Sequence, residues 1–150
     1  MPRNKKRTSG GEANKNGRIL ERQIVPLLEE NGYKEQPPVA GEKTFQRHVY
    51  VGETVYGSKR HVDILITERD GSKKCIECKY QKSKGSVDEK FVFLHENIKK
   101  TGIPTYVVHG GGGQKPCSIR WLQEQITPRS KMRSVTDLDG LTTLINNNWE

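Results

Sequence analysis

Long hydrophobic runs are missing from this chain. Nothing approaches the ~20 apolar residues that a membrane-spanning helix needs, and no apolar stretch of a secretory signal follows the basic N-terminus. The expectation is an intracellular protein with no membrane partner. Cysteine is also scarce. An odd count of three, Cys75, Cys78 and Cys117, argues against a disulfide framework. Cys75 and Cys78 spell C-x-x-C, but residues three apart on a strand point to opposite faces and cannot grip one zinc ion together. No second C-x-x-C and no histidine pair completes such a site. Hydrophobic residues make up only 31% of the chain and aromatics 7%, which dictates a small core under a polar surface. There is no internal repeat. The glycine run at 110–113 lacks the G-K-[ST] that a phosphate-binding P-loop requires.

Positive charge is what the chain has in excess. A formal net charge of +8 over 150 residues points to a polyanionic partner, nucleic acid first. At that length one domain is expected. Half of the excess sits in "MPRNKKRTSGGEANKNG", where Arg3, Lys5, Lys6, Arg7 and Lys15 face only Glu12. Residues 1–15 are therefore expected to form a flexible basic arm ahead of one domain at 16–150. The composition leaves open whether the arm contacts nucleic acid or only solubilises. A second basic stretch, "TPRSKMR" at 127–133, carries Arg129, Lys131 and Arg133.

Residues 16–33 have the helical period through Leu20, Ile24, Leu27 and Leu28, with Gly32 as the stop and Pro26 near the middle. A loop is expected at 34–43 and one long or two short strands at 44–57. Strands at 60–68 and 73–81 flank a tight "RDGS" turn. A helix over 86–102 opens on Ser86 and Glu89, the spacing of a capping box. An apolar strand at 103–111, a flexible glycine turn and two short helices complete the order. A strand–helix–strand unit after an antiparallel meander implies an α/β fold with a mixed sheet and helices on its faces.

Charge inside the strands is the anomaly. On 73–81, Glu77, Lys79 and Gln81 project to one side, opposite Ile76, Cys78 and Tyr80. Across the hairpin, Asp63 sits among Val62, Ile64, Leu65 and Ile66, although aspartate is disfavoured in strands. A buried carboxylate needs a partner. Lys79 offers one as a structural ion pair. Alternatively, Asp63 and Glu77 supply hard oxygen ligands for Mg²⁺ or Mn²⁺, and Lys79 handles a water molecule beside a phosphate. A further acid, Glu21, falls within the apolar arc of the first helix beside Val25 and Leu28.

Asp63 followed by Glu77-Cys78-Lys79 after a short hairpin resembles the PD-(D/E)XK nuclease superfamily, which includes many restriction endonucleases and the archaeal-type Holliday junction resolvases. Val62 stands where the motif's name has proline. The element order over residues 16–110 is also that family's. The resemblance implies a restriction-endonuclease-like core with extra C-terminal helices and Mg²⁺-dependent hydrolysis of DNA phosphodiesters. It further implies a homodimer, since cutting both strands takes two sites. The implied protein is a bacterial or phage-encoded endonuclease of the cytoplasm. A junction resolvase and a non-enzymatic basic DNA-binding module are the alternatives. In this scheme Asp63, Glu77 and the backbone carbonyl of Cys78 hold the metal, Lys79 acts on the water, and Gln81 and Glu21 support them. Lys82 and Lys84, after the strand, join the arm and the 127–133 stretch as candidate DNA contacts.

Overall fold

The computed structural model describes residues 8–82 and 88–150, with side chains described from Arg18 onward except at 83–89. Helix α1 runs from Thr8 to Glu30, without interruption at Pro26. It begins eight residues before the start expected from periodicity, inside the segment expected as a flexible arm. Once the apolar turns are packed, extending a helix adds a hydrogen bond per residue fixed, which carries it into a segment of poor propensity. Arg3, Lys5, Lys6 and Arg7 lie outside the described residues. The stop is as the sequence implies. Gly32, at φ +90°, donates to the Glu29 carbonyl while Tyr33 donates to that of Leu28, which closes the helix in a Schellman motif.

A two-residue strand, β1 (Lys34–Glu35), lies in the expected loop and pairs in parallel with β2 (Thr44–Glu53). The meander continues antiparallel through β3 (Lys59–Thr67) and β4 (Lys73–Tyr80). Helix α2 (Asp88–Thr101) then crosses over to β5 (Thr105–Gly110), which lies parallel to β4. The Ser86–Glu89 capping box and Lys84 belong to positions whose side chains lie outside the described residues.

After α3 (Pro116–Glu124) comes β6 (Met132–Thr136), parallel to β5, then α4 (Leu138–Asn146). The strand order is β1-β2-β3-β4-β5-β6. Strand β6 corrects the sequence reading, which put a basic loop and the start of a helix there. Five residues carrying Arg133 and Ser134 show too little alternation to announce a strand, and their pairing is supplied by β5. Helix α4 begins only after Asp137, whose side chain accepts from the Gly140 amide at 2.9 Å and caps the helix.

Helices cover both faces of the sheet. Leu20, Ile24 and Leu28 of α1 and Leu141 and Ile145 of α4 pack with Ile64, Ile66 and Ile76. On the opposite face, Phe91, Leu94 and Ile98 of α2 pack with Val107, Leu122 and Met132. Burying a side chain of this kind contributes roughly 1.5–3 kcal/mol. The mixed sheet flanked by helices is therefore the α/β, restriction-endonuclease-like architecture that the sequence implies.

Candidate metal centre

The centre of the sheet splits. Strands β3 and β4 pair from Thr67↔Lys73 to Ile64↔Ile76 and then part. Strand β3 continues along β2 to Lys59, while β4 continues along β5 to Tyr80. Asp63 is the first residue past the last pair. Its Oδ2 accepts from the backbone N–H of Cys78 at 2.7 Å, a bond the next rung of the ladder would otherwise make. This is why aspartate belongs here: its carboxylate satisfies an amide exposed by the parting strands. The carbonyl and N–H of one strand residue point to the same edge, so the Cys78 carbonyl also faces the gap.

The alternation of β3 breaks at the same point. Val62 packs with Leu65 and Cys75, whereas Ile64 and Ile66 pack under α1. Opposite, His48 of β2 has a left-handed φ of 55°, and the register passes from Arg47↔Ile64 to Val49↔Val62. His48 and Asp63 are thereby released from the regular pleat. Helix α1 delivers Glu21 to the same place, only 2% exposed. One ligand atom from each of Glu21, His48 and Asp63 falls within 4.8 Å of the others.

Glu77 arrives from β4, 3% exposed, with its Oε2 2.9 Å from Nη2 of Arg60. Arg60 is itself buried and donates through Nε to Thr101 Oγ1 at 3.0 Å. Burial, then the negative charge of Asp63, push the Glu77 carboxyl up to about 7, against the pull of Lys79 and Arg60. Burial also raises Glu21, opposed chiefly by His48. Lys79 is half-buried at the gap. The expected ion pair between Lys79 and Asp63 is not formed among the described residues; the ion pair at the gap joins Arg60 to Glu77.

Gln81, half-buried just past β4, has its backbone held. Its N–H donates to Gly110 O at 3.0 Å, and its carbonyl accepts from Gly113 N at 2.7 Å. Gln114 Nε2 donates to the carbonyls of Lys79, at 3.1 Å, and Gly110, at 2.8 Å. Gly111, at φ +90°, approaches the Gln81 carbonyl so closely that a Cβ would collide with it. The glycine run, expected to be a flexible turn, is a clamp on the end of the strand that carries Glu77 and Lys79.

The other sequence candidates divide. Lys82 is exposed beyond β4. Arg129 and Lys131 precede β6 at the end where Thr105 pairs with Met132, away from the Lys79↔His109 end of the sheet. Arg133 donates to the Ser130 carbonyl and interacts with Tyr106. The structure does not bring these three to the carboxylates. His61 is exposed and meets Tyr50 edge-on at 5.8 Å, outside the cluster.

Two residues at the gap, His48 and Arg60, escaped the sequence reading. Only an exact hairpin register could have placed His48 opposite Asp63, and the pleat is irregular there. Arg60, beside a turn, reads as an exposed strand end; its burial comes from α2, which follows much later in the chain.

The residues suit a divalent ion. Glu21 Oε1 lies 3.1 Å from His48 Nε2 but off the angle of a hydrogen bond, which leaves a buried carboxylate oxygen unsatisfied among the described residues. Carboxylate and carbonyl oxygens fit Mg²⁺ or Mn²⁺, and an imidazole nitrogen extends the set toward Mn²⁺. No curated protein and no solved structure matches the chain. A family model for the PD-(D/E)XK nuclease superfamily domain matches residues 12–149, nearly the whole length. With Asp63, Glu77 and Lys79 gathered where its sheet opens, the chain belongs to the PD-(D/E)XK nuclease superfamily.

Proposed function

We propose that the protein is a Mg²⁺- or Mn²⁺-dependent DNA endonuclease of restriction or phage type. The observation that carries this reading is the cluster of Glu21, His48 and Asp63 where the sheet opens, with Glu77 and Lys79 of the adjoining strand acting on Asp63's side of it. Asp63, Glu77 and the Cys78 carbonyl would hold the metal, with Glu21 and His48 completing or tuning its shell. A divalent ion held there would supply a lowered pKa for water and stabilisation of charge developing on the phosphate. Lys79 orients the attacking water and offsets negative charge in the transition state. The water oxygen bonds to phosphorus and its proton passes to solvent, while the P–O bond to one sugar breaks and the departing sugar oxygen takes a proton from solvent to leave as a hydroxyl. Gln81, anchored by the clamp, supports Lys79. The net charge of +8 supports DNA as the substrate, and cutting both strands calls for a homodimer.

Glu21, the acid on the first helix, favours a structure-specific junction resolvase as the second reading. Cleavage of linear duplex, four-way junction and single-stranded DNA, each with Mg²⁺ and with Mn²⁺, decides. Duplex cleavage supports the endonuclease, and cleavage confined to the junction supports the resolvase. No cleavage of any of the three with either metal would overturn both.

A further inference from the structure

We infer that the buried Arg60 guanidinium takes the place of a second metal ion, so that each chain works with one divalent cation. This rests on the nuclease reading above and goes beyond it by fixing the ion count and naming the residue responsible. The first ground is the distribution of oxygens. Two-metal centres hold their ions about 3.5–4 Å apart, so the carboxylates between them need oxygens free of other close partners. Here one oxygen of each strand carboxylate is already engaged. Asp63 Oδ2 accepts from Cys78 N at 2.7 Å, and Glu77 Oε2 lies 2.9 Å from Arg60 Nη2. The ligand atoms that lie together, one each from Glu21, His48 and Asp63 within 4.8 Å of one another, suit one octahedral ion that keeps waters and a phosphate oxygen.

The second ground is that Arg60 cannot readily leave. It is 7% exposed, and its Nε is tied to Thr101 Oγ1, which in turn donates to the Asn97 carbonyl at 2.8 Å. A guanidinium is always charged, so it supplies a permanent cation to Glu77. The third ground is charge balance. Ionised as metal ligands must be, the carboxylates of Glu21, Asp63 and Glu77 exceed Arg60 and Lys79 by one negative charge. One divalent ion reverses that to one positive charge, which a phosphodiester neutralises. A second ion would leave two uncompensated positive charges in a largely buried site, a costly arrangement.

The test is a Mn²⁺ titration of the full chain, read by the electron paramagnetic resonance of the free ion. It is carried to the concentration that saturates cleavage, and only ions lost in Asp63→Ala are counted. One such ion per chain is expected, rising to two in Arg60→Gln. Two in the wild-type protein, or one still in a folded Arg60→Gln, overturns the inference while leaving the nuclease reading intact. Should Arg60→Gln fail to fold, the wild-type count alone decides. Absence of any Asp63-dependent ion together with absence of cleavage overturns the nuclease reading itself.

Discussion

Each acid at the gap has a different reason to be there. Asp63 caps an amide, Glu77 faces a buried guanidinium, and Glu21 keeps an oxygen unsatisfied. Arg60 makes the close ion pair with Glu77, and Lys79 acts on Glu77 without one among the described residues. Lys79→Ala should therefore melt within a few degrees of wild type while cleavage falls at least ~100-fold. Melting that drops in step with activity would make Lys79 a strut. The Glu77 carboxyl gives a second expectation. In the fold it keeps its proton up to about 7, against 4.5 for the ordinary side chain. The stability this adds is complete below pH 4.5 and is lost as pH rises through about 7. The melting temperature of metal-free protein should thus fall between about pH 5 and pH 8, and Glu77→Gln should flatten that fall. Excess Mg²⁺ should restore the wild-type value at the upper end, since the ion binds the ionised form. An unchanged slope in Glu77→Gln would assign the titration to another group. Asp63, Glu77, Lys79 and Glu21 were legible because charge among apolar neighbours shows in one dimension. His48 and Arg60 were not, because one depends on an irregular strand and the other on a helix that arrives later in the chain.

At the scale of elements, the parting of β3 from β4 creates the site, and the glycine clamp fixes one side of it. Gly111 and Gly112 make a controlled pair. Both have positive φ, +90° and +75°, but an added Cβ meets the Gln81 backbone only at Gly111 and nothing within 4 Å at Gly112. Gly112→Ala should cost roughly 1–2 kcal/mol for the left-handed backbone alone. Gly111→Ala should cost more and also lower kcat, since the displaced Gln81 carbonyl shifts the end of the strand bearing Lys79. Denaturant melts and steady-state cleavage of the two variants check this, and equal effects would mean the close approach is dispensable. The meander, the crossover and β5 were legible from periodicity and turn chemistry. Strand β6 was not, because pairing along β5 outweighs its weak local pattern, and neither was the clamp, because a glycine run signals freedom until something packs against it.

Over the whole molecule, a basic excess that served the proposed DNA substrate would have to act where it reaches the gap. Arg129, Lys131 and Arg133 stand by the opposite end of the sheet, so they are poor candidates for binding beside the scissile phosphate. Among the described residues no helix is long and apolar enough to cross a membrane. The cations of residues 1–7 precede α1, the helix that carries Glu21 into the site. If they meet phosphates flanking that site, each phosphate they neutralise releases condensed counterions and steepens the salt dependence of binding. Deleting residues 1–7 removes Arg3, Lys5, Lys6 and Arg7 without touching the metal centre. Duplex affinity should weaken, and the slope of log K against log salt should become shallower by about 0.9 for every phosphate left without its cation. The cleavage rate at saturating DNA should stay at the wild-type level, because cations that position the backbone add affinity without entering the chemistry. Binding isotherms at several salt concentrations, with Ca²⁺ replacing Mg²⁺ to suppress turnover, measure the slope. An unchanged slope would make the arm a solubilising tail and assign DNA binding to the folded domain, with the exposed Lys82 after β4 first in line.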